Sequence, residues 1–229
     1  MSSSVPPSSR AAVATLPARP LDPQSWQAAA EAVIEVGRRA ARRGWLPATS
    51  GNLSVRAGDL LAITRSGVDK GALSEQDLLA QALDAPLLPG SSAEAALHLQ
   101  LYADRPGIAA VFHVHSLAAS VLGRRHVDAG ELVFQGWELQ KALAGVDSHE
   151  QRVRLPIFPN TQDIPFLVRQ VRSRLGAASG EAWNAPGYLI AGHGLYAWGC
   201  DSAEAWRHLE ALDHLLNQEL ALAGPTPLR

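Results

Sequence analysis

Cysteine is almost absent: Cys200 stands alone in 229 residues, so no internal disulfide can form and the fold must be held by its own core. Lysine is nearly as scarce, because of the 20 basic residues only Lys70 and Lys141 are lysines. A chain that uses arginine almost wherever a generic cation serves draws attention to its two lysines, which are either places that want a compact ammonium or two surviving surface residues. No apolar run approaches the roughly 20 residues of a membrane span, and the N-terminal segment lacks the apolar centre of a signal peptide. The formal charge of -2 leaves no basic excess for a nucleic-acid backbone or an anionic membrane. These absences argue against nucleic-acid and membrane modules, and predict a cytoplasmic protein with a small-molecule partner.

What is present is a hydrophobic fraction of 47%, enough at this length for one compact domain burying about 70% of its unfolded surface. Residues 1–20, rich in Ser, Pro and Arg without periodicity, are expected to be a disordered tail ahead of one domain over 21–229. Apolar spacing predicts a helix over 26–43, ended by Gly44, and a strand–turn–strand over 51–64. Ser74 with Asp77 reads as a helix cap followed by a short helix to residue 83. A helix from Ser92 through Leu101 is expected to feed a buried strand over 108–115. Further helices are read at 138–143, 164–175 and 201–222, with extended chain at 153–158 and a strand or strand pair at 187–198, broken at Gly192 and Gly194. Strands and helices mix without a regular βαβ rhythm, so the fold class is α/β with an antiparallel or mixed sheet covered by helices.

His113 and His115 flank Val114 in an apolar strand, and side chains two apart on a strand share a face. Two converging imidazoles are a metal signature, since neutral imidazole is the commonest zinc ligand. His193, between Gly192 and Gly194, is the third candidate, because glycines let backbone approach a bound ion closely. The remaining histidines, His98 among them, read as ordinary packed or surface residues. Three glycine- and hydroxyl-bearing segments could wrap a phosphate: Ser50 with Gly51 and Asn52; Ser66 with Gly67 and Lys70; and Ser91 with Ser92 at a helix start.

In order along residues 25–222, these segments resemble the class II aldolase family. The resemblance rests on Gly51, Asn52, Leu53 and Ser54; on Thr64, Arg65, Ser66 and Gly67; on Ser91, Ser92 and Glu94; on the His113 and His115 pair; and on His193. It implies a three-layer sandwich, a central antiparallel sheet flanked by helices, with one Zn2+ per subunit, a homotetramer with sites at subunit boundaries, and a sugar-phosphate substrate. Phe134, Gln135, Gly136, Trp137, Glu138 and Lys141, with the segment 156–160, narrow the resemblance to a dehydrating branch of methionine salvage. There, 5-methylthioribulose 1-phosphate loses water to give 2,3-diketo-5-methylthiopentyl 1-phosphate.

That chemistry needs a Lewis acid at a carbonyl and a carboxylate to move protons. Glu138 is the first choice by its motif position and Glu94 the second, while pairing of Glu138 with Lys141 and of Glu94 with His98 is the plain structural alternative. Trp137, Phe134, Phe158 and Trp183 are candidates for an apolar slot around the methylthio group. The alternatives are sugar-phosphate aldol cleavage or 4-epimerisation on the same ligand set, and a non-catalytic scaffold that need not keep the histidines.

Overall fold

The computed structural model of the chain describes residues 22–176 and 183–224, so the expected tail over 1–20 lies outside the described residues. Asp22 caps α1 (Pro23–Arg42), its carboxylate accepting from the Ser25 amide at 3.1 Å, and Pro23 sits where a helix needs no N–H. The stripe Ala29, Ala30, Val33, Val36 and Ala40 is buried, and Gly44 at φ 71° releases the chain from the helix.

Among the described residues eight strands form one sheet: β1 (Asn52–Ala57), β2 (Leu60–Thr64), β3 (Leu78–Ala82), β4 (Ala110–Val114), β5 (Glu131–Phe134), β6 (Val153–Phe158), β7 (Gly187–Ile190) and β8 (Gly194–Gly199). Their order is β3-β2-β1-β4-β8-β7-β6-β5. Every neighbouring pair is antiparallel except β6 with β7, between which α4 (Ile164–Gly176) carries the chain back. The expected central antiparallel sheet between helices is therefore observed, with one parallel pair.

Side chains alternate between two cores. Leu53, Phe112, Val114, Leu189, Leu195 and Ala197 face α1, α3 (Leu117–Arg125) and α5 (Ser202–Leu222). Leu61, Ile63, Val111, Tyr188 and Tyr196 face α2 (Ala95–Asp104) and α4. β4 and β8 are thus held from both sides, each fully buried aliphatic or aromatic side chain contributing about 1.5–3 kcal/mol. Among the described residues no helix is long and apolar enough to cross a membrane.

Two local expectations change. Ser74 and Asp77 do pair, Ser74 donating through N–H and hydroxyl to Asp77 Oδ2 at 2.9 and 2.7 Å, but they close only a 3-10 turn, Glu75–Asp77. Residues 78–82 then form β3, because Leu78 reaches one core and Leu79 the other while the backbone pairs with β2. Sheet pairing overrides the helix preference of Leu, Ala and Gln. The α3 helix, capped by Ser116, and the short β5 strand were not anticipated. The expected helix at 138–143 is a 3-10 turn, Glu138–Ala142.

Candidate metal centre

His113 is the fourth residue of β4 and its ring is fully buried on the α2 face. Tyr196 stacks on it with ring centroids 4.1 Å apart. A Cβ at Gly194 would lie 2.9 Å from His113 Cε1 and strike the Val114 carbonyl, so only glycine lets β8 close on the ring. His113 Nδ1–H donates to the Leu195 carbonyl at 3.1 Å, which aims the Nε2 lone pair outward. His115 lies one residue beyond β4, pinned by its N–H to the Trp45 carbonyl at 2.8 Å. His193 stands in the β7–β8 turn after Gly192 at φ 64°, its N–H bonded to Ile190 O at 3.1 Å and its carbonyl accepting from Ser120 Oγ at 2.7 Å.

The three rings converge from two strand ends. His115 Nε2 lies 3.0 Å and His193 Nε2 3.3 Å from His113 Nε2, and one nitrogen from each falls within 4.8 Å of the others. A metal with bonds of about 2.0–2.1 Å at tetrahedral angles spaces its nitrogens by about 3.3 Å, so the set fits a single divalent ion. Burial pushes His113 well below the ordinary imidazole value and His115 down to about 4. Both are neutral at physiological pH, the form that ligates.

Glu94, at the base of α2, faces this set. Its Oε1 is 3.0 Å from His193 Nε2, its Oε2 is 3.7 Å from His113 Nε2, and Asn52 Nδ2 donates to Oε2 at 3.0 Å. Burial alone would raise this carboxyl, but the hydrogen bond from His193, the nearby imidazoles and the Asn52 amide outweigh it and hold the group at about 2. Without a metal, Glu94 is therefore an anion beside the three imidazoles. It does not pair directly with His98: Asn52 stands between them, its other end bonded to His98 Nε2. Glu138 is not brought to the histidines within the chain. Its side chain is 72% exposed and pairs with Lys141, with His149 Nδ1 3.8 Å away.

The three anion segments come together in part. An Arg65–Ser91 bridge and a Ser66 N–H bond to Gly90 O at 2.9 Å set Ser66 and Gly67 beside Ser91 and Ser92. The Ser50 and Ser91 hydroxyls are buried with no hydrogen-bond partner among the described residues, while Ser92 Oγ accepts from the Glu94 amide at 3.2 Å. Gly51 at φ 74° runs against β4, where a Cβ would meet the His113 carbonyl at 2.5 Å. Lys70 is 2% exposed, and its ammonium donates to the Thr49 carbonyl. Burial lowers its proton affinity, opposed by the charges of Asp69 and Glu94. Asn52 has its amide engaged by Glu94 and His98, so it serves that pair before any phosphate.

The aromatic slot is not assembled. Phe134 and Phe158 belong to the cores, Trp137 donates to Glu219 at 2.7 Å, and Trp183 donates to Arg174 O at 2.9 Å beneath the Arg154 and Arg174 guanidinium groups. Large apolar rings satisfy burial before they line a pocket. Conversely, the polar partners His98, Ser54 and Tyr102 behind Asn52 were missed. The available signal was the spacing of Glu94 and His98, which puts both on one face of α2.

This mixed sheet, with histidines at two strand ends and a carboxylate from the start of the helix that precedes β4, places the chain in a known class. It belongs to the class II aldolase and adducin N-terminal domain family, whose model matches residues 31–220. The narrower resemblance holds as well. The chain is 57% identical over 196 residues to methylthioribulose-1-phosphate dehydratase of Bradyrhizobium sp. strain BTAi1, spanning 85% of this chain and 91% of that one. It is 48% identical to the protein of the same name from Parvibaculum lavamentivorans, over 84% and 93% of the two chains. The crystal structure of L-fuculose-1-phosphate aldolase from Thermus thermophilus superposes with a TM-score of 0.68 at 25% identity, covering 86% and 97%.

Proposed function

We propose that this chain is a zinc-dependent hydro-lyase of methionine salvage, converting 5-methylthioribulose 1-phosphate to 2,3-diketo-5-methylthiopentyl 1-phosphate and water. In this reading it is a cytoplasmic homotetramer. The observation that carries the reading is the convergence of three imidazole nitrogens beneath the Glu94 carboxylate, in a chain 57% identical to a dehydratase of that name. His113, His115 and His193 would hold the metal, which supplies Lewis acidity toward a substrate carbonyl. Glu94, anionic and 18% exposed, accepts the proton that leaves C3 and returns one to the C4 hydroxyl as it departs as water. The unpartnered Ser50 and Ser91 hydroxyls, with Ser66, Gly67, Ser92 and the charge of Lys70, receive the phosphate. Glu138 joins the chemistry from a neighbouring subunit, which fits its exposure and its lack of contact with His113, His115 and His193 of its own chain.

The test is incubation of metal-analysed protein with 5-methylthioribulose 1-phosphate and, separately, with fuculose 1-phosphate, following product masses. Loss of one water from the first alone, dependent on bound zinc and absent in His115→Ala, is expected. Cleavage of the second into two carbon fragments with the first untouched would replace the dehydratase by an aldolase on the same fold.

A further inference from the structure

Behind Glu94 lies a file of buried polar side chains that the reaction as described does not use. Asn52 and Tyr102 are each 2% exposed, and Ser54 and His98 are fully buried. Beginning at Glu94, the contacts are Asn52 Nδ2 to Glu94 Oε2 at 3.0 Å, Asn52 Oδ1 with His98 Nε2, His98 Nδ1 with Ser54 Oγ at 2.7 Å, and Ser54 Oγ with the Tyr102 hydroxyl at 3.0 Å. Elementary hydrogen-bond chemistry fixes the direction of every link. A carboxylate only accepts, so the amide NH2 of Asn52 must face Glu94 and its oxygen must face His98. That oxygen only accepts, so His98 carries its proton on Nε2 and presents a bare Nδ1. The Ser54 hydroxyl must then donate to Nδ1, which leaves its oxygen to accept from Tyr102. Tyr102 closes the file, with the Ser54 carbonyl a second acceptor at 3.1 Å.

We infer that Tyr102, Ser54, His98 and Asn52 form a one-directional hydrogen-bond relay that positions the Glu94 carboxylate over the three imidazoles, which makes His98 a positioning residue of the reaction. All four lie on the strand β1 and on α2, the helix that covers this face of the sheet, with Glu94 at the start of the helix. Tyr102 and His98 are four apart on α2, and Ser54 and Asn52 are two apart on β1, so the helix and strand repeats match link for link. A cut at any link from Glu94 to Ser54 leaves a buried donor or acceptor stranded, whereas the Tyr102 hydroxyl keeps the Ser54 carbonyl as an acceptor. The inference rests on Glu94 being the proton-carrying carboxylate.

Nitrogen-15 NMR of histidine-labelled, metal-free and metal-loaded protein tests the relay without turnover. His98 is expected as the Nε2–H tautomer in both states; a Nδ1–H or doubly protonated His98 near neutral pH overturns the relay. Kinetics supply the second arm, since misplacing a catalytic group by about 1 Å can cost about 100-fold. His98→Leu should lower kcat by about 100-fold and Ser54→Ala by about 10-fold, with KM and metal content unchanged. His98→Gln, which can still donate to Asn52 and accept from Ser54, should recover to within about 5-fold of the parent. If Glu94→Gln is inactive while Ser54→Ala and His98→Leu keep the parental kcat, the file only packs and the inference is wrong. If Glu94→Gln itself keeps the parental kcat, the role proposed for Glu94 has failed and the relay falls with it. Should His98→Leu not fold, the tautomer and Ser54→Ala decide the matter.

Discussion

Glu94 and Glu138 are the same residue type, each beside a helical turn, and the structure treats them in opposite ways. Glu94 is largely withdrawn from solvent, faces two imidazoles and is gripped from behind by Asn52. It stays ionised down to about 2 although burial works against it, because every nearby polar group favours the anion. Glu138 stands in solvent, its carboxyl lowered first by the hydrogen bond from Lys141 and then by that charge and His149. An exposed pair of this kind adds little to stability. The difference teaches that a depressed carboxyl value alone does not mark a site: the same direction arises from a surface ion pair and from a built electrostatic pocket, and only burial with converging ligands separates them.

The largest effect is expected from removing what Glu94 faces. His113→Ala should abolish metal retention and turnover together, measured as metal per chain after gel filtration. Glu94→Gln keeps a similar shape without the charge, and should lower kcat by about 100- to 10,000-fold with metal still bound. Glu138→Gln sharpens the contrast: turnover should fall with metal content and fold intact, and near-normal activity would remove Glu138 from the mechanism and leave Glu94 alone in it.

A smaller effect concerns pH. Burial pushes His98 down to about 3 from 6.5, so between those values unfolded chains bind a proton that native chains do not. Stability must therefore fall as pH falls through that window, by about 1.4 kcal/mol per pH unit for this one group. Glu94 adds a loss of the same sign between 4.5 and about 2, its native value being the lower one. Urea unfolding of metal-free protein should show a shallower slope between pH 6.5 and 4.5 for His98→Gln than for the parent; equal slopes would mean that His98 is not held neutral in the native state. The smallest expected effect is on the surface pair, where Lys141→Ala should leave the thermal midpoint unchanged.

Much of the site was legible in the chain alone. The alternation His113–Val114–His115 on an apolar strand already dictates two imidazoles on one face, and the glycines around His193 already signal a close backbone approach. The helices α1 and α5 were readable from their apolar stripes, with Gly44 closing the first and Asp201 opening the second, while the Asp22 cap that starts α1 three residues earlier was not read. β3 was misread because its composition favours helix and its strand state depends on the partner β2, which no local window contains. The aromatics were over-read because Phe134 and Phe158 carry no local mark that distinguishes core from pocket.

The family, the three candidate metal-ligating histidines and the two candidate carboxylates were legible from local signals, because ligand chemistry and strand periodicity are local properties of the chain. Only the tertiary structure decided which carboxylate meets the histidines and that His98 belongs to the same constellation. Those outcomes depend on β1, α2, β4 and the β7–β8 turn meeting at one end of the sheet, through contacts between residues far apart in the chain. Burial then gives such contacts their consequence, since a polar group far from water must find its partner wherever the fold brings one.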